Sequence, residues 1–571
     1  GPLLEHFVLV TGQPAQRDPL DGVATSWAAR YPSGGAAVDN ALAEARKLLH
    51  RDHPERATAP LAAAARALAA LPDADPRVRD ARKQASELAL RASGVFVRAL
   101  SPRATCTPGA TLPVLLELHL RRPAPIALRG VRLPDGQTKT LDKPLAVHEK
   151  RLVSADVHCA DDATPSAPYW LAEPPLPGRQ VVPDQRLLDN PAGLPPLSAA
   201  VDFVVDGHTL TLDVPFSYAY TDRVQGERER RVAIVPPLTV TPERDAVLFP
   251  SGSARSVQLR VRAGADAQRG EVSLELPPGY RSEPAHVAVE LAHAGDERTV
   301  ELKVYPPADA LTRPPEYAQP VALVGGRRYA LREDLIDYPH VPTQLVLQPA
   351  RLRLTPLTVT KPHGTIGYVE GSGDTIAADL AHVGASVEML NDRELMQADL
   401  SRFSAIVLGV RSFNTRDVLR AAHPRLMRYV EAGGVVLVQY VTRSGISPLD
   451  VPIGPYPLDI GRGRVTDERA AVTLLAADHP LLTRPHRLGP KDFEGWVQER
   501  GLYFAEHWDP RYQPLLELAD PNEGPERGAL LVARHGRGRY VYTGLSFFRQ
   551  LPAGVPGAYR LLLNLITAGN P

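Results

Sequence analysis

The residues that could do chemistry in this chain of 571 residues sit at the ends of short apolar runs. The first run is Thr365-Ile366-Gly367-Tyr368-Val369, and a Gly-Ser-Gly-Asp turn follows it with Ser372 and Asp374. Residues 405–410 form a second run, which ends on Arg411 and, three residues on, Asn414. A third, 435–440, closes on Gln439 and Tyr440. Asp492 and Glu494 come later, in a Lys-Asp-Phe-Glu-Gly-Trp segment. An arginine among carboxylates suggests anion clamping beside proton transfer. Other chemistries lack their patterns. Ser546 follows Gly544-Leu545, which is no Gly-x-Ser-x-Gly elbow. There is no Cys after residue 159, so a Cys-His-Glu triad cannot be built there. Asp478-His479-Pro480, Glu499-Arg500, Glu506-His507-Trp508-Asp509 and Ser546-Phe547-Phe548-Arg549-Gln550 are further clusters that could be chemical. None has a His-x-x-x-His spacing for metal, and Ile376 breaks the glycine pattern of a dinucleotide loop. Two readings stand: a non-catalytic recognition or assembly rim, and a sugar-processing or ligand-binding site.

These residues need a sheet to gather them. The 365–369 run is β-branched and apolar, as in a strand buried on both faces. Ile376, Leu380 and Val383 then recur at helical spacing up to Gly384, which suits a helix stop. Strand, helix and strand in succession give a right-handed βαβ unit, whose polar residues gather past the strand carboxyl ends. Gly536-Arg537-Gly538 predicts a closing hairpin, hence a sheet mixed at one edge. The last domain, 363–571, therefore reads as α/β and flavodoxin-like.

The upstream chain reads differently. Residues 1–94 predict an irregular start and a helical spacer, in which Val38, Leu42, Ala45 and Leu49 share one face. Period-2 alternation takes over in 95–228 and again in 229–306, predicting two immunoglobulin-like β-sandwiches. Residues 307–362 read as bridging strands. The 57 prolines and 6% aromatic content fit such modules better than a helical body.

Charge is balanced at 65 basic and 65 acidic residues, with no basic run, which argues against nucleic acid as a partner. No apolar window reaches the roughly 20 residues of a membrane span. Cys106 and Cys159 are the chain's two cysteines; a disulfide and two buried thiols are both open readings. The chain opens on Gly1-Pro2 ahead of a strand-like Glu5–Val10 segment, which suggests a protease scar or a missing upstream part.

Several segments together carry a family resemblance. They include IGYVEGSGD, DLSRFSAIVLGVRSFNT, YVEAGGVVLVQY, DFEGWVQERGLYF and TGLSFFRQLPAGVPGAYRL. Over nearly its whole length the chain resembles the region that follows the catalytic domain in large bacterial PIG-L/LmbE-type deacetylases. Leu276-Pro277-Pro278-Gly279-Tyr280 with Glu283-Pro284 resembles the NEW3-type β-sandwich found with carbohydrate-active enzymes. The last domain is similar to class I glutamine amidotransferase-like folds, with Tyr440 where those enzymes place the nucleophile elbow. The family's zinc-binding His-Pro-Asp-Asp motif has no match, since His53-Pro54, His423-Pro424 and His479-Pro480 continue with Glu, Arg and Leu. The resemblance thus implies no cofactor in this chain, zinc belonging to an upstream or separate deacetylase domain. It further implies a glycan or a second copy as partner and a periplasmic or secreted location.

Overall fold

A computed structural model describes residues 10–11, 14–16, 21–171, 173, 176, 179–182, 184–188, 190, 193–443, 449 and 451–567. The expected strand at 5–10 lies almost wholly outside them. The chain is β-rich, with several sheets and few helices.

Helices Gly35–Leu48, Thr58–Ala69 and Pro76–Ala92 occupy the predicted spacer. Asp75 caps the third by accepting from the Arg77 N–H, and Pro76 starts it where a missing donor costs nothing. Their buried faces (Val38, Leu61, Leu68, Val78, Leu90) share one core with the first β module, through Leu116, Val201 and Phe203. That module is an eight-stranded sheet organised on one long strand, His208–Asp222. The first half of this strand pairs with Ser198–Val205, and the second half lies beside Val95–Ser101 and Gly226–Arg231.

The second module has two sheets. Leu238–Pro242, Arg255–Ala263, Glu297–Tyr305 and Arg281–Glu283 form one. The other pairs Ala246–Pro250, Leu352–Leu357, Glu316–Val324, Gln268–Glu275 and His286–Leu291. Val257, Leu259, Val261, Val272, Val289, Val300, Leu302 and Val304 fill the space between, as their alternation requires. The 307–362 reading as a bridge needs correction here. Two of its strands, Glu316–Val324 and Leu352–Leu357, belong to the second sheet, with Ala318, Ala322, Leu352 and Leu354 in the core. Pro320 and flanking charges hide their period in the sequence.

The last sheet runs in the order Ser386–Met389, Thr365–Val369, Phe403–Leu408, Val435–Gln439, Gly538–Thr543, Leu530–His535, Tyr512–Pro514. The first five strands are parallel; Leu530–His535 runs against them across the expected 536–538 turn, and Tyr512–Pro514 pairs antiparallel with Leu530–His535 in turn. On one face Ile366, Ala405, Leu437 and Val541 pack with Leu380, Leu561 and Leu562 of helices Ile376–His382 and Pro556–Ile566. On the other face Ile406, Leu408, Val436 and Tyr542 pack with Leu419, Leu426 and Val430 of helix Val418–Glu431. Burial on both faces explains why these strands read as continuous apolar runs.

The second sandwich is docked firmly on this domain. Arg244 pairs with the buried Asp379 at 2.8 Å, and Arg353 donates to the Ala553 carbonyl at 3.0 Å. At Gly554, in left-handed backbone, a Cβ would stand 2.6 Å from that of Ala246. The Leu248 N–H donates to His382 Nε2 at 3.3 Å, so this ring must stay neutral on that nitrogen. Burial first, then Arg244 and Arg255, pushes the His382 pKa down to about 4. A folded-state pKa below the ordinary histidine value gives stability that is complete above about pH 6.5 and lost as pH falls toward 4, up to about 3 kcal/mol. Melting temperature followed from pH 7 to pH 4 should therefore fall, and in His382→Gln the fall should be shallower over that window. Identical slopes in the two proteins would show that His382 does not govern the seam.

Candidate functional site

Strands Thr365–Val369 and Phe403–Leu408 are neighbours whose chain connections leave in opposite directions across the sheet. In open α/β sheets such a switch point opens a crevice at the strand carboxyl ends. In this protein the crevice is filled by the chain itself. Ser372 N–H donates to the Val410 carbonyl at 2.8 Å, and Gly409 N–H to that of Val369 at 2.8 Å. Asp374 lies between the loops. One carboxylate oxygen accepts from Val410 N–H at 3.0 Å, and the other from Ile376 N–H at 3.2 Å and from the Tyr368 hydroxyl. Burial, then the Asp374 charge, holds the Tyr368 phenol well above its ordinary pKa, so it stays a donor. A Cβ on Gly371 would meet the Val410 oxygen at 2.0 Å, so the two loops close only because that residue is glycine. Asp374 is thus a loop clasp, and the Ser372 side chain is exposed beyond it.

Asn414 is also committed to the fold. Its amide donates to the Thr442 carbonyl at 2.8 Å and accepts from Thr442 N–H at 2.9 Å, fixing the turn after the third strand. Gln439 is buried beneath the rim. Its Nε2 donates to the Tyr368 hydroxyl at 3.4 Å and the Leu408 carbonyl at 3.5 Å, while Oε1 has no partner among the described residues.

Asp492 and Glu494 are not brought to this rim. Asp492 accepts from Gly489 N–H at 2.8 Å and from Arg560 Nη1 at 2.7 Å, against the last helix, whose Gly557 abuts its backbone. Glu494 is exposed on the turn that follows. Asp492 fixes the segment to the helix, as a buried carboxylate with a guanidinium partner does.

Arg411 and Tyr440 remain, and they stand together. Arg411 N–H donates to the Tyr440 carbonyl at 2.8 Å. The Arg411 backbone is left-handed at φ 56°, and its Nε is buried without a hydrogen-bond partner among the described residues. The adjacent Ser412 Oγ is likewise buried and unpartnered. Tyr440 stacks on Tyr503 at 5.4 Å and leans on Phe548 at 5.6 Å. Burial raises its phenol pKa, while Arg411 and Arg549 act downward and Glu499 upward. Arg549 is occupied by Glu499, at 2.6 Å from Nε to Oε1. Tyr503 at φ 54° and Gln498 at φ 67° are left-handed too, so three non-glycine residues in costly backbone border one patch.

Tyr503 was not among the residues picked from sequence, and Glu499, Phe548 and Arg549 lie in clusters that the sequence offers as chemical without assigning them to the rim. Their signal was present in Arg-Gly-Leu-Tyr-Phe and Ser-Phe-Phe-Arg, aromatic-and-arginine pairs just past short strands. Chemically the patch offers an aromatic surface and one uncommitted guanidinium. Ser546 Oγ donates to the Glu499 carbonyl at 2.8 Å and has no imidazole beside it. Among the described residues no three His, Cys, Asp or Glu side chains are grouped to hold a metal ion, and no helix is long and apolar enough to cross a membrane.

No family model matches the chain, and no curated protein matches it. Among solved structures, a cold-adapted β-galactosidase from Rahnella sp. R3 is similar over 36% of this chain and 32% of its own, at 15% identity and a TM-score of 0.22. An exo-β-1,4-mannosidase from Opitutaceae bacterium strain TAV5 is similar over 36% and 35%, at 14% identity and a TM-score of 0.22. A Porphyromonas gingivalis W83 protein of unknown function covers 46% of this chain and 99% of its own, at 11% identity and a TM-score of 0.13. The similar part spans about a third of the length of each glycosidase. At these scores the likenesses carry no argument about activity.

The clasp gives a direct expectation. Asp374→Ala leaves two N–H groups and the buried Tyr368 O–H without an acceptor, which should cost about 2–3 kcal/mol in chemical denaturation. A loss below about 0.5 kcal/mol would show that the loops close without the carboxylate.

Proposed function

We propose that this chain is the non-catalytic accessory portion of a PIG-L-type N-acetylglucosaminyl deacetylase, and that its last domain holds a glycan at the Tyr440 rim. The reading begins from the motifs shared with the region behind the deacetylase domain of that family. The strand order of the last sheet, with its antiparallel edge, fits the flavodoxin-like, class I glutamine amidotransferase-like fold that the resemblance implies. At the end of the parallel strand Val435–Gln439, where that fold would carry a nucleophile, stands Tyr440, packed by two aromatic rings. Zinc and the hydrolytic step would belong to the deacetylase domain, upstream or on a separate chain, in the periplasm or outside the cell.

One observation carries the binding site. Arg411 is held in strained backbone with Nε buried and, among the described residues, unpartnered, beside half-exposed Tyr503 and Phe548. Strain and an unmet donor both cost free energy, and a ligand that accepts from the guanidinium while its apolar face covers the rings would offset them. The hydrolase reading needs a free acid and base at the rim. Asp374 is occupied by the loops and Asp492 by Arg560, so the geometry favours recognition over hydrolysis.

Isothermal titration with N-acetylglucosamine oligomers tests this. The chain should bind them, and Arg411→Gln should weaken binding about tenfold or more, the worth of one charge-assisted hydrogen bond, with an unchanged melting temperature. No binding by the parent chain, or equal binding by the variant, would remove the rim from the proposal.

A further inference from the structure

The fold places the chain's two cysteines side by side, although 52 residues separate them. Cys106 is 3% exposed and Cys159 is 1% exposed, each thiol acts on the titration of the other, and Cys106 Sγ donates to the Thr107 carbonyl at 3.8 Å. Their backbones are held independently of the sulfurs. The Cys159 N–H donates to the Ala110 carbonyl at 2.8 Å, and its carbonyl accepts from Gly109 N–H at 2.9 Å, directly after strand Lys150–His158. Cys106 belongs to the short strand Thr105–Cys106, which pairs in parallel with Ala233–Ile234.

That short strand is the joint between the two β modules. Val235 N–H donates to the Cys106 carbonyl at 2.9 Å, and the Thr105 hydroxyl donates to the Gly264 carbonyl of the second module at 2.7 Å. Arg103 reaches Asp266 of that module at 3.3 Å. Thr107 packs so closely on Gly264 that a Cβ there would stand 3.1 Å from its methyl. A covalent link at Cys106 would therefore tie the end of strand Lys150–His158 to the segment on which the second module rests.

We propose that Cys106 and Cys159 are joined by a disulfide in the mature protein, stapling the first β module to its junction with the second. The electrons go to an external disulfide, either oxidised glutathione or an oxidised dithiol oxidoreductase. Cys159 attacks as thiolate and forms a mixed disulfide, releasing one thiol of the oxidant. Cys106 then loses its proton and attacks the Cys159 sulfur, releasing the second thiol. Two protein thiols become one S–S bond, and one external disulfide becomes two thiols. With both sulfurs buried, the exchange belongs to folding, before the module closes over them. The bond closes a loop of roughly 50 residues, long enough to restrict the unfolded chain substantially.

Intact-mass measurement and thiol counting under denaturing conditions test this on the full chain. The parent protein, reduced, unfolded and refolded in a mixed glutathione buffer, should lose roughly two mass units, titrate no thiols and yield a peptide pair linking residues 106 and 159. Adding reductant should then lower its melting temperature by several degrees, while a Cys159→Ser variant should show no reductant effect. Two titratable thiols in the refolded, folded parent chain would overturn the proposal. That readout needs no variant, so a misfolded Cys159→Ser protein would not blunt it. A disulfide without any reductant effect on melting would leave the bond and overturn the staple.

Discussion

A parallel sheet covered on both faces has only its strand ends left for polar groups. In this protein helices Ile376–His382 and Pro556–Ile566 cover one face and helix Val418–Glu431 the other, and Leu437, Val436 and their neighbours are sealed from water. Every backbone group at the carboxyl ends must then find a partner within a few loops. Asp374 meets that need for Val410 and Ile376, and Asn414 meets it for Thr442. What those loops leave unsatisfied, at Arg411, Ser412 and Gln439, marks where the fold has more donors and acceptors than it uses. The candidate site is the remainder of this accounting.

Much of the architecture was legible in the sequence. The βαβ start, the hairpin at 536–538, the three N-terminal helices and the alternating strands of the sandwiches all follow from periodicity and turn residues. The membership of strands 316–324 and 352–357 in the second sandwich was not, because Pro320 and Pro356 interrupt their pattern and their partners lie far off in sequence. Long-range pairing, which periodicity does not encode, decided their sheet.

The site was legible in kind and less so in membership. Position past a strand end picked out Arg411 and Tyr440, since chain direction fixes which end is the rim. The same rule grouped Asp374 and Asn414 with them, although backbone groups claim both side chains. Asp492 was misplaced for a different reason. A carboxylate near aromatics looks chemical in one dimension, whereas Arg560 claims it from a helix nearly 70 residues later. Tyr503 escaped notice because it stacks on Tyr440 from 63 residues further along the chain, a pairing that spacing does not reveal.

The close approach at Gly554 and Ala246 has a mechanical meaning. With a virtual Cβ only 2.6 Å from its neighbour, the seam has no room for a side chain at Gly554, and Arg353 and Thr355 hold carbonyls on either side of that point. Such a seam works as a key in a slot: the sandwich cannot slide along the last domain without collision or rotate without breaking both bonds.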